Sequence, residues 1–101
     1  MRLIVCGGGQ TPAPAVLRAL EAANTKRKVV ALLVGAGAPA AALEWAAANE
    51  VAVELIFPGQ LRQAVPSADG VLILPGLSAA DRLMLKLADD AWIAMWQPYG
   101  F

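Results

Sequence analysis

The residues of this chain with the most evident chemistry are glycines that follow short apolar runs. The run 3–6 stops at Gly7, Gly8 and Gly9, with Gln10 and Thr11 behind them. The run 29–34 stops at Gly35-Ala36-Gly37-Ala38, and the run 71–74 stops at Pro75-Gly76-Leu77-Ser78. Glycine lets backbone N–H groups approach an anion closely, and the helix N-terminus that follows such a loop adds a positive dipole end, a combination suited to phosphate. The hydroxyls of Thr11 and Ser78 add side-chain donors. Any one of these loops reads as readily as a plain strand-to-helix turn. Three of them on one edge weight the reading toward a ligand.

The first loop lacks the spaced glycines of a dinucleotide fingerprint, and no acidic residue directly follows the second run. An NAD dehydrogenase is therefore a weak reading. The lysine and Ser/Thr pair of a phosphate-binding P-loop is absent too, which disfavours ATP hydrolysis of that kind. Glu44 and Asp81 are the weak catalytic candidates, as a carboxylate pair for base-sugar cleavage. The plainer reading makes each a solvated helix residue or a dipole partner. Cys6 stands at the ligand edge, but the chain has no histidine to activate it, and a buried structural thiol is the simpler role. Trp45, Trp92 and Trp96 have rings that stack on a base, though core or interface packing explains them more directly.

Composition narrows the partners. The 101 residues suffice for one sizeable core, hence a single domain over 1–101. Eight basic and eight acidic residues cancel, which leaves no field to attract a polyanion, so nucleic acid is not an expected partner. With no histidine and one cysteine, no metal site, cofactor or internal disulfide is expected, and a reducing cytoplasm fits. No segment is long enough for a membrane span, and the apolar stretch 3–6 is too short for a signal-peptide core. An apolar fraction of 58% exceeds what one small core can hide, which points to a homo-oligomer, most simply a two-fold dimer. Helix faces or the last strand are its expected contacts, with Trp92, Trp96, Tyr99 and Phe101 concentrating aromatic surface there.

The elements that must position these residues alternate. Apolar runs predict strands at 3–6, 29–34, 51–57, 71–74 and 91–96, the last with Trp92, Ala94 and Trp96 on one face. Between them, helical spacing predicts a helix over 11–24, with Thr11 as N-cap, Pro12 at the first position, and Val16, Leu17 and Leu20 facing inward. An alanine-rich helix over 39–49 follows, with Leu43 and Ala46 or Ala47 inward. One or two helical turns fit 60–65. Ser78 caps a last helix with Asp81 three residues on, and Leu83, Met84, Leu87 and Ala88 form its inner stripe. Lys26, Arg27 and Lys28 suit a helix C-terminus. The expected fold is a single Rossmann-like three-layer α/β domain with a five-stranded parallel sheet in order 3-2-1-4-5. The glycine loops then gather at its carboxyl edge, where ligands bind.

Several stretches resemble a known family. Met1-Arg2-Leu3-Ile4-Val5-Cys6-Gly7-Gly8, the segment 35–46 with Glu44 before Trp45, the segment 53–58, and Leu72-Ile73-Leu74-Pro75-Gly76 are together similar to the YspA-type branch of the SLOG superfamily. That superfamily is related to the LOG and Smf/DprA proteins. The resemblance implies a Rossmann-like fold and a nucleotide or nucleotide-derived ligand; LOG enzymes cleave the base from nucleoside monophosphates. The motifs here are degenerate. Gly9-Gln10 stands where the branch has Arg-Asp, Ala36 and Pro39 stand at Arg and Asp positions, and Pro75-Gly76 lacks the later glycines and threonine of Pro-Gly-Gly-x-Gly-Thr. The LOG glutamate has no clear counterpart, Asp81 matching only with a gap.

These observations yield one leading expectation and two alternatives. The leading one is a binder of a nucleotide-type small molecule at the carboxyl edge of the sheet, without catalysis. It would use Gly7, Gly8, Gly9, Gln10, Thr11, Gly35, Gly37, Pro75, Gly76 and Ser78. One alternative is a non-catalytic protein-interaction module on a degenerate SLOG fold, of phage or mobile-element kind. The other is a nucleoside 5′-monophosphate phosphoribohydrolase.

Overall fold

The computed structural model describes residues 1–35 and 37–98, and its element order is β1 (Arg2–Cys6), α1 (Ala13–Lys26), β2 (Ala31–Val34), α2 (Ala40–Ala48), β3 (Ala52–Leu55), α3 (Leu61–Ala64), β4 (Gly70–Ile73), α4 (Ala79–Asp90) and β5 (Ala94–Trp96). The strands form one sheet in the order β3-β2-β1-β4-β5 with every pair parallel. Ile4 lies opposite Leu33 on one side and Val71 on the other. This is the α/β Rossmann-like arrangement expected from the alternation of runs. Ala36, Tyr99, Gly100 and Phe101 lie outside the described residues, and with them the expected role of Ala36 in the second loop and of Tyr99 and Phe101 at an interface.

The continuous apolar runs of β1, β2 and β4 are strands whose two faces are both buried, whereas β3 and β5 are exposed edges. Period-two alternation sends Leu3, Val5, Leu32, Val34 and Leu72 to one face, where Val16 and Leu20 of α1 and Trp45 of α2 cover them. Ile4, Cys6, Leu33, Val71 and Ile73 go to the other, under Leu61 of α3 and Met84 and Ala88 of α4. Trp45 is a core residue, 3% exposed, and its indole N–H donates to Glu21 Oε1 at 3.0 Å. Arg2 ties the opposite sheet edge together: its guanidinium pairs with Glu54 on β3 and donates to the Ser67 carbonyl.

Local readings are corrected at several places. Thr11 is not the N-cap of α1; Pro12 holds that position without a side-chain cap. The Thr11 hydroxyl instead donates to the Pro75 carbonyl at 3.3 Å, a cross-loop bond that local spacing does not reveal. Leu17, Leu43 and Leu83 are exposed, and small neighbours do the inward packing: Ala19 and Ala23 on α1, Ala42 and Ala46 on α2. Helix α4 continues through Asp89 and Asp90, so β5 starts only at Ala94, and Trp92 shares no strand face with Trp96. Trp92 sits in the left-handed region at φ 60°, 95% exposed. It occupies the position after the α4 C-cap, with its own N–H bonded to Asp89 and that of Ile93 bonded to Ala88. That is the hydrogen-bond pattern that closes a helix with a residue usually glycine.

Candidate functional site

The loops after β1, β2, β3 and β4 converge at the carboxyl edge of the sheet around a cavity of about 270 Å³. Gly7 and Gly9 come from the first loop, Gly35, Gly37 and Ala38 from the second, and Gly76 and Ser78 from the fourth. The floor is apolar, made by Val5, Ile56, Leu61 and Met84, and the first turns of α4 add Ala80 and Asp81. Of the residues singled out in the sequence, the structure therefore brings Gly7, Gly9, Gly35, Gly37, Gly76, Ser78 and Asp81 to one place. Gly8, Gln10, Thr11 and Pro75 are beside it and not on its lining. Glu44 is exposed on α2 and does not reach the cavity.

The glycines divide into two kinds. Gly7 and Gly76 have φ of 80° and 87°, and each is in close contact with a neighbouring loop. A Cβ on Gly7 would overlap the Leu74 carbonyl oxygen, and one on Gly76 would come within 2.7 Å of the Gln10 nitrogen. These two build the loop crossing itself. Gly35 and Gly37 have neither constraint, for a Cβ at Gly35 would make only ordinary contact with Met84 and one at Gly37 would meet nothing within 4 Å. Their missing side chains leave the cavity open.

The polar groups are also partly committed. The Gly8 N–H donates to the Pro75 carbonyl at 2.8 Å and the Thr11 N–H to Gly8, so these amides hold loop to loop. Among the described residues no hydrogen bond engages the amides of Gly9 and Gly76. Ser78 caps α4 as its spacing to Asp81 predicts. Its Oγ accepts from the Asp81 N–H at 3.1 Å, and the Asp81 carboxylate takes the Ser78 N–H at 2.8 Å and the Ser78 hydroxyl at 2.9 Å. Asp81 is the sole charged side chain on the cavity lining among the described residues.

Cys6 ends β1 just below this edge and is fully buried. Burial, reinforced by the Asp81 charge, pushes its thiol up to about 12, so it carries no nucleophilic thiolate at neutral pH. Among the described residues no cluster of metal-ligating side chains forms, and no helix is long and apolar enough to cross a membrane. The apolar floor is what sequence reading missed. Met84 registers as a core position by spacing, and nothing in that spacing tells that it also faces a void.

Comparison of the chain with protein-family models, curated proteins and solved structures finds no match.

Proposed function

We propose that this chain binds a nucleotide-type small molecule in the cavity at the carboxyl edge of its sheet, without catalysing a reaction on it. The observation that carries the reading is the convergence of four loops on one void, at the edge where open parallel sheets place their ligands. The size of the void is informative. At about 270 Å³ it lies just below the usual range of ligand pockets, about 300 to 1,000 Å³. It matches a base and sugar, and a dinucleotide would have to lie largely outside it. The similarity of the loop sequences to SLOG proteins supports the same ligand class.

Catalysis is disfavoured by what surrounds the candidates. Asp81 is held in the cap of α4, Glu44 stands elsewhere, and the Cys6 thiol is protonated. General acid–base assistance to a departing base needs a group within reach of it and free to exchange a proton. No release of free base from nucleoside monophosphates is expected, and release that disappears in Asp81→Ala would instead establish the hydrolase.

A thermal-shift screen over nucleosides, nucleoside monophosphates and ADP-ribose tests the binding. A site-specific ligand at 100 times its Kd stabilises by about 2.7 kcal/mol, a rise on the order of 10 °C for a domain of this size. The substitution Gly37→Phe, placed where a side chain meets open space, is expected to abolish the shift while leaving the unliganded melting temperature nearly unchanged. A shift that survives Gly37→Phe would place the ligand elsewhere. One observation favours a second reading, a protein-interaction module: Trp92, just before edge strand β5, is almost wholly exposed, and Met95 on β5 is 40% exposed. This exposed apolar surface also suits the proposed homodimer.

A further inference from the structure

The charge at the cavity constrains what enters it, and this inference rests on the binding reading above. Asp81 is the one ionised side chain on the lining among the described residues, and it projects from the first turn of α4. Its Oδ2 takes both hydrogen bonds of the cap, from the Ser78 N–H and the Ser78 hydroxyl. Its Oδ1 accepts none among the described residues. The N-terminus of α4 thus already faces an anion belonging to the chain, and its Ser78 and Asp81 amides are committed to the cap. Apart from Ser78, whose hydroxyl is bound to Asp81, the remaining lining is glycine, alanine, proline and apolar side chains, with no lysine or arginine among the described residues.

We infer that the cavity selects the uncharged nucleoside over its 5′-phosphate, with Asp81 Oδ1 accepting hydrogen bonds from sugar hydroxyls or an exocyclic amine. A carboxylate accepts and never donates at neutral pH, so it rewards a ligand rich in donors and repels a second anion. The apolar floor of Ile56, Leu61 and Met84 takes the face of the base. Selectivity therefore comes from one side chain whose other oxygen is fixed by the helix cap, which holds the accepting oxygen in place without a partner of its own. The cap and the specificity determinant are the same residue.

The experiment is titration calorimetry of the full chain with adenosine, guanosine, cytidine and uridine, each paired with its 5′-monophosphate. The expected result is that at least one nucleoside binds, roughly tenfold or more tighter than its monophosphate. In Asp81→Asn, which keeps an acceptor for the Ser78 N–H, the nucleoside is expected to weaken and the gap to its monophosphate to close. A monophosphate that binds as tightly as its nucleoside in the wild type overturns this inference while leaving the binding site standing. A gap unchanged in a folded Asp81→Asn overturns it as well. If no nucleoside and no monophosphate binds, the binding reading fails and the inference with it. The wild-type comparison decides even if the variant does not fold.

Discussion

At the scale of single residues, Trp92 and Cys6 show opposite ways in which a side chain is at odds with its setting. Trp92 adopts a left-handed conformation, which costs a residue with a Cβ roughly 1–2 kcal/mol. Glycine relieves that cost but adds freedom to the unfolded chain, worth roughly 0.5–1 kcal/mol. Because the indole is 95% exposed and forfeits little packing, Trp92→Gly is expected to raise stability by about 0.5–1 kcal/mol in urea unfolding. Glu50, at φ 56° in the matching position after α2, should respond alike. A loss of stability in Trp92→Gly would mean that the ring packs against part of the chain. Cys6, by contrast, keeps its proton in the fold up to about pH 12, against an ordinary value of 9.0. Its folded value is raised, so its contribution is complete below pH 9 and is lost as the pH climbs toward 12. The stability difference between wild type and Cys6→Ala is therefore expected to be flat up to about pH 9 and to shrink above it. A difference that stays constant to pH 11 would show that the thiol ionises in the folded protein as it does in the unfolded one.

At the scale of elements, the loop crossing between β1 and β4 depends on positions that tolerate no Cβ. Gly7→Ala and Gly76→Ala are expected to cost roughly 2–4 kcal/mol each, and Gly37→Ala close to nothing. Equal losses at all three would remove the distinction between glycines that build the crossing and glycines that leave the cavity open. The cap of α4 is smaller, and Ser78→Ala should cost about 1 kcal/mol. These elements also show what the residues alone disclose. The parallel sheet and its order were legible from the strand-helix alternation, the loop resemblance and a third connection long enough to cross back, and the edge at which the loops gather because the first four apolar runs each stop at glycine or proline. The cap at Ser78 was legible because its partner lies three residues away. The end of α4 was not, because a non-glycine residue closes it, and Ala91 to Ile93 resemble the start of a strand. The bond from Thr11 to Pro75 spans 64 residues, and no local pattern encodes it. Likewise the cavity floor is formed by side chains whose spacing says core and whose surroundings say void.

At the scale of the whole molecule, the sheet has two edges, both exposed, and they differ in what they offer a partner. At the β5 end, Met95 on the strand and Trp92 in the turn before it are exposed, the type of residues that anchor interfaces. The β3 edge presents Val53, Leu55 and Phe57. The proposed homodimer is assigned to β5, and sedimentation at micromolar concentration is expected to show a dimer that becomes a monomer when Trp92→Ser and Met95→Lys are combined. A dimer that persists in that variant and dissociates in Val53→Lys would move the contact to β3. A monomer in the wild type would leave both edges as bare surface. Neither result touches the cavity, which opens at the carboxyl ends of the central strands. The central claim is that this cavity is the binding site, and the most direct measurement is the change in backbone amide resonances of the labelled protein on titration with the best-binding nucleoside. Saturable shifts are expected at Gly9, Gly35, Gly37, Gly76, Ser78 and Asp81, with the β5 edge unmoved. Shifts gathered around Trp92 and Met95, or none at millimolar nucleoside or nucleotide, would contradict the claim.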